Sequence, residues 1–138
     1  MPNRDLTKVT AIASAGLKAQ SIRMRVIAQN IANADSVAEV PGGLPYRRKT
    51  LTFKNQLDKQ LGVPLVKAAK YGYDTSDFQY KYEPGNPLAG LDGYVAYPNV
   101  DPVIEQADLR EAQRTYEANL GVIDTTRTML SKTIGLIK

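Results

Sequence analysis

From Leu109 to Ile137 the sequence returns an apolar residue at every seventh position: Leu109, Tyr116, Ile123, Leu130 and Ile137. A second row of the same spacing holds Val122, Met129 and Leu136. Seven residues make almost two helical turns, so a strict repeat keeps one stripe turned toward a partner, as in a coiled coil. Asp101-Pro102 opens the segment with a short acceptor at the N-cap and a Pro at the first helical position. Asp101, Glu105, Asp108 and Glu111 stand early and Arg127, Lys132 and Lys138 late, each sign at the helix end that favours it. The repeat predicts one helix over residues 101–138, on the order of 50 Å long. Three positions after each heptad residue come Ala112, Asn119, Thr126 and Thr133. Small residues admit a close helix, and Asn fixes register. Two uses of the seam stand side by side, a loose antiparallel hairpin within one subunit and packing against other subunits. Glu105, Asp108 and Glu111 also have the spacing of a metal or acid–base cluster. With Arg110 and Arg114 nearby, they read as ordinary first-turn acids.

The first 35 residues predict a second helix, with no Pro after Pro2 and a single Gly, Gly16. On a wheel of about 100° per residue, Leu6, Ala13, Leu17, Met24, Ile27 and Ile31 form one stripe. Val9, Ile12, Gly16, Ala19 and Val26 form the next. Together they exceed the apolar arc of an ordinary surface helix, so this helix wants neighbours on two sides. Leu17, Met24, Ile27 and Ile31 are expected to face Tyr116, Ile123, Leu130 and Ile137. Asn30, Asn33 and Asn119 are expected to satisfy backbone groups where helices end or cross.

Residues 36–100 hold most of the prolines and glycines. They predict a small β-containing excursion with long irregular connections. Three extended segments stand out: Tyr46–Lys54, the alternating Phe78, Tyr80 and Tyr82, and Gly93–Tyr97. The expected fold class is therefore mainly α. Long N- and C-terminal helices pair as an antiparallel coiled coil, joined by a small irregular or β-containing middle region. A connection this long in a compact domain makes most sense if neighbours in an assembly hold it down.

The chain contains no Cys, His or Trp among its 138 residues. It therefore lacks disulfides, thiolate chemistry, zinc clusters and the commonest general base near neutral pH. No catalytic residue, metal or cofactor is expected. No apolar run has the roughly 18–20 residues of a membrane span, and the N-terminus does not read as a cleavable signal peptide. Arg47-Arg48-Lys49 is a candidate phosphate contact, but alternation divides it between two faces and acids are interspersed, so a salt-bridged strand is the stronger reading. A nucleic-acid-binding hairpin protein and a membrane-surface protein are the competing classes. The first would bind through this triplet. The second would need a polar arc richer in Lys than that of the first helix. The eight tyrosines read as interface packing, where each offers large contact area with one polar end.

Two segments of the first helix, Ser14-Ala15-Gly16-Leu17-Lys18-Ala19-Gln20 and Asn30-Ile31-Ala32-Asn33-Ala34-Asp35-Ser36, resemble the N-terminal helix of bacterial flagellar axial proteins, the rod, hook and hook-associated subunits. Four more resemble the FlgC family of proximal rod proteins in particular. These are Pro45-Tyr46-Arg47-Arg48-Lys49, Tyr82-Glu83-Pro84 with Asn86-Pro87, Gly93-Tyr94-Val95-Ala96-Tyr97-Pro98-Asn99-Val100, and Ala112-Gln113-Arg114-Thr115-Tyr116-Glu117-Ala118-Asn119. Asn86 stands where the family pattern has His, Asp101 where it has Asn, and Leu88–Asp92 is less polar. The resemblance implies a non-enzymatic structural subunit, exported through the flagellar type III apparatus and assembled in the periplasm into a hollow, torque-transmitting rod. Its implied partners are itself, other rod proteins, motor-ring or rod-adaptor components and the export machinery, with neither nucleic acid nor membrane insertion.

Overall fold

A computed structural model describes residues 2–137. The elements run α1 (Pro2–Ala32), β1 (Lys49–Asp58), β2 (Val63–Tyr73), β3 (Gln79–Tyr82), β4 (Tyr94–Tyr97) and α2 (Pro102–Ile137). Helices account for 49% of the chain and strands for 21%, so the α character is modest and the β share larger than the sequence led one to expect.

α2 starts where the Asp-Pro pair predicts. The Asp101 carboxylate accepts the amides of Val103 at 3.0 Å and Ile104 at 3.4 Å, and its carbonyl accepts the Glu105 amide. This is a side-chain N-cap filling donors that no helical carbonyl reaches. α1 ends at Ala32, before the expected residue 35. Asn33 Nδ2 donates to the Gln29 carbonyl at 2.9 Å, and Ser36 Oγ donates to Asn33 Oδ1 at 3.0 Å. These bonds turn the chain off the helix axis, a local alternative to another helical turn.

The middle region holds two two-stranded sheets, β1–β2 and β3–β4. β3 and β4 pair antiparallel, with Gln79 opposite Tyr97 and Tyr82 opposite Tyr94. β1 begins at Lys49, so Tyr46, Arg47 and Arg48 lie before it, contrary to the expected strand. Their amides are drawn elsewhere: that of Tyr46 donates to the Ser36 carbonyl and that of Arg48 to Asn99 Oδ1. β2 was not legible, because Pro64 and Gly72 interrupt its pattern. In a two-stranded sheet each strand is an edge, and an edge tolerates a Pro. Between the two strands Asp58 Oδ1 accepts the amides of Gln60 and Leu61, and Gly62 closes the turn at φ 68°.

The chain divides into two compact units. Unit 1 comprises Met1–Met24, Thr52–Lys70 and Arg110–Lys138, and unit 2 comprises Arg25–Leu51 and Tyr71–Leu109. Unit 1 buries small residues from both helices, Ala13, Gly16, Ala19 and Ala112, together with Ile123 and Thr126. Unit 2 is centred on Val26, Ile27, Val95, Pro98 and Val100, with Asn30 and Glu105 buried among them. Neither described helix is long and apolar enough to cross a membrane.

Candidate functional site

In unit 1 the seven-residue repeat of α2 becomes a seam. Tyr116, Ile123 and Leu130 lie half-buried or buried, as do the positions three residues on from each heptad residue up to Thr126, with Ala112 fully enclosed and Thr126 at 6% exposure. Thr126 tolerates this because its hydroxyl donates to the Val122 carbonyl at 2.7 Å. The amide group of Asn119 sits against Gly16. A Cβ at Gly16 would lie 2.8 Å from Asn119 Nδ2, closer than side chains approach, so only glycine fits. Asn119 is itself tethered, its Nδ2 donating to the Thr115 carbonyl at 3.1 Å. Farther along, Arg23 pairs with Glu111 at 3.7 Å. At the other end Leu6, Thr7 and Thr10 line a groove with Thr126, Arg127 and Leu130.

The second heptad row of α2 behaves differently. Val122, Met129 and Leu136 are exposed, Leu136 at 87%, and so are Leu120 and Ile134. Val9 and Ile12 of α1 are also open to solvent. Ile137, although in the seam row, is 82% exposed, while Leu17 and Met24 are half-buried.

In unit 2 the residues expected at helix ends build a polar junction. Asn30, at 1% exposure, acts as a surrogate strand. Its Nδ2 donates to the Lys49 carbonyl and its Oδ1 accepts the Lys49 amide, both at 2.9 Å, while Tyr46 Oη donates to the same oxygen at 2.8 Å. Asn99 holds the preceding residue. Its Oδ1 accepts the Arg48 amide at 2.8 Å and its Nδ2 donates to the Asp74 carbonyl at 3.0 Å. The Arg48 guanidinium bonds Glu105 through Nε and lies 3.5 Å from Asp74 and 4.0 Å from Asp108. Burial opposes its charge, but the Glu105 bond and the neighbouring carboxylates outweigh burial and raise its pKa. Asp74 is held below its usual range, chiefly by the Ser76 amide donating to its carboxylate at 2.9 Å. Arg47 points another way, donating to the carbonyls of Asp74 and Ser76 and lying over the Phe78 ring at 4.1 Å.

The early carboxylates of α2 are thus not balanced by Arg110 and Arg114, as their spacing suggested. Glu105 and Asp108 serve Arg48, and Glu111 serves Arg23. Glu105 is 1% exposed. Asp74 and Ser76 escaped the sequence reading. Their Asp-x-Ser spacing marks a turn, but nothing local tells which distant arginine the turn will meet. Ile31, Asn33 and Leu109 are half-buried near this junction, whereas Pro84 and Pro87 are exposed on the connection between β3 and β4. Gly93 there adopts φ 82°, and a Cβ on it would meet the Tyr82 ring at 2.8 Å. That ring lies 5.2 Å from the ring of Tyr94. Asn86 earns its place in this turn: its Nδ2 donates to Glu83 and its Oδ1 accepts the Leu88 amide, both at 2.9 Å. Among the described residues no cluster of three or more acidic side chains is arranged to hold a metal.

Close helix seams, exposed apolar rows and a rigid polar junction describe an assembling part, and comparison with known proteins agrees. The family described as "Flagella basal body rod protein" matches residues 11–38. "Flagellar basal body rod FlgEFG protein C-terminal" matches residues 91–136. The flagellar basal-body rod protein FlgC of Agrobacterium fabrum is 50% identical over 133 residues, 96% of each chain. The chain belongs to the FlgC family of flagellar basal-body rod proteins. The FlgC of Salmonella typhimurium is 42% identical over 95% of this chain and 97% of its own. That of Bacillus subtilis is 37% identical over 92% of this chain and 95% of its own. The FlgC family is structural, not enzymatic. The matched segments contain Gly16 and Asn30 of α1 and Asn119 of α2.

Proposed function

We propose that this chain is a structural subunit of the flagellar basal-body rod, polymerising through its two terminal helices into the proximal part of the drive shaft. Its site of action is the rod within the periplasm. The observation that carries the reading is the division of α2 into a heptad row that is half-buried or buried from Leu109 to Leu130 and an exposed one, Val122, Met129 and Leu136. One row suffices for a partner helix within the subunit, and the second needs a partner from outside it.

Within the subunit the helices pair as an antiparallel coiled coil. The support is the order of neighbours in unit 1: Leu6 and Leu130 line the same groove, Gly16 lies against Asn119, and Arg23 pairs with Glu111. One numbering rises as the other falls. Leu17, Met24, Ile27 and Ile31 on one side and Tyr116, Ile123, Leu130 and Ile137 on the other supply the apolar contacts within or between subunits. The division of the chain into segments 1–35, 36–100 and 101–138, with the terminal helices in the first and last, follows the same reading. The partners are other copies, other rod proteins, the motor-ring or rod-adaptor components at the base, and the export machinery that delivers the chain.

Deleting the gene and imaging the basal bodies tests this. The expected outcome is membrane rings without rod, hook or filament, restored by the full chain but not by one lacking residues 120–138. Complete flagella in the deletion strain would overturn it.

A further inference from the structure

The charge of this chain is divided by unit. Unit 1 holds thirteen basic and five acidic residues, a net +8, and unit 2 holds five basic and nine acidic, a net −4. Counting along the sequence hides this, because the middle region contributes to both. The basic excess is most concentrated on the β1–β2 hairpin, where Lys54, Lys59, Lys67 and Lys70 are exposed and the lone acid, Asp58, is occupied with the turn amides. In unit 2 the acids Asp74, Glu105 and Asp108 are consumed by Arg48, and Glu83 by Asn86 and Tyr97. Asp35, Glu39, Asp77 and Asp92 are exposed, and none of them forms a salt bridge among the described residues.

We infer that the lysine-bearing hairpin of one copy docks on the acidic surface of unit 2 of a second copy. The occupant is fixed by charge complementarity: the same chain carries both a cationic hairpin with four exposed lysines to one acid and a net-negative unit 2, whose exposed acids, Asp35, Glu39, Asp77, Asp92 and Asp101, outnumber its exposed bases, Arg25 and Lys81. Two different patches meeting make a heterologous contact, which repeats without closing and builds a helical polymer. Lysines on a two-stranded sheet also guard its edges against indiscriminate pairing. That role alone would need no matching acidic surface. The inference rests on the rod reading above and adds the orientation in which copies meet.

The test uses the purified full-length chain, two charge-reversed versions and sedimentation velocity. One version carries K54E, K59E, K67E and K70E, and the other D35K, E39K, D77K and D92K. Circular dichroism checks that each remains folded. The wild-type chain is expected to self-associate at low salt and to dissociate toward 1 M NaCl, where the Debye length falls to about 3 Å. Each reversed version alone is expected to associate more weakly by about tenfold or more, because like charges meet. An equimolar mixture of the two is expected to recover association, since each acidic hairpin then finds a basic unit 2 and each basic hairpin an acidic one. A wild-type chain that stays monomeric at low salt, reversed versions that associate normally, or a mixture that fails to recover each overturns the inference. So does a hairpin that binds anionic lipid vesicles while the chain remains monomeric. Failure here leaves the gene-deletion result untouched, and complete flagella in the deletion strain would leave this result standing, so the two readings fail separately.

Discussion

Arg48 shows how much one residue can be asked to organise. Its side chain is 26% exposed, yet among the described residues it is the only cation bonded to Glu105, which is 1% exposed. Replacing Arg48 with Met should strand that carboxylate, and breaking such a pair costs on the order of 3–5 kcal/mol. Partial exposure of Arg48 favours the lower end. The loss is measurable by urea unfolding followed through tyrosine fluorescence, which no Trp obscures. R48M combined with E105Q should recover part of it, because a neutral amide is cheaper to bury than a lone charge.

Asp74 gives the same junction a pH dependence. Its folded pKa lies below its unfolded value, so the folded state binds the proton less readily. Its contribution is therefore complete above the unfolded carboxylate value, about 3.9, and is lost as pH falls through the lower folded value. Stability should decline with acid below about pH 4, and D74N should flatten that decline in urea titrations run at successive pH values. The carboxylate of Glu83, lowered mainly by the Asn86 bond, leaves a residual slope in the variant.

At the scale of elements, the helix seam of unit 1 depends on an absent side chain. Ala at Gly16 would gain up to about 1 kcal/mol of helix propensity. Against that stands overpacking against the tethered Asn119 amide, at about 1–3 kcal/mol. Overpacking should win, so G16A is expected to lower the urea midpoint. G16A with N119A should unfold later than G16A alone, since the amide that occupies the space is gone. If N119A gives no relief, Gly16 is present for another reason. The exposed row of α2 makes the complementary point. Val122, Met129 and Leu136 are exposed in one copy, so the seam within it does not account for their heptad spacing.

For the whole molecule, the ratio of surface to core predicts behaviour before assembly. Helices of 31 and 36 residues bury mainly alanines and a few larger side chains in unit 1, with much of α2 open to solvent. Packing of an apolar face supplies most helical stability, so the dilute monomer is expected to be less helical than its assembled form. Circular dichroism across a dilution series should show helicity rising with self-association. Constant full helicity at every concentration would contradict it.

Much of this architecture was legible because helices announce themselves locally. The Asp101-Pro102 start, the seven-residue row and the near absence of Gly and Pro from the first 32 residues are contacts or exclusions within a few turns of chain. The strands were legible where residues alternated, in β3 and the first part of β1, and as a short extended run in β4, and invisible in β2, where Pro64 and Gly72 mask a hairpin whose edges tolerate them. Side-chain partnerships were not legible at all. Glu105 has the same helical spacing whether it meets Arg110 or Arg48, and Asn30 reads as a helix-terminal polar residue whether or not it clamps Lys49. The sequence by itself determined which segments form helices, because that choice rests on neighbours three and four residues away. Only the tertiary structure decided which heptad row is buried, which acids are consumed by Arg48, and that the positive and negative charges separate into two units, because those outcomes rest on pairs such as Arg48 and Glu105, 57 residues apart, meeting in space.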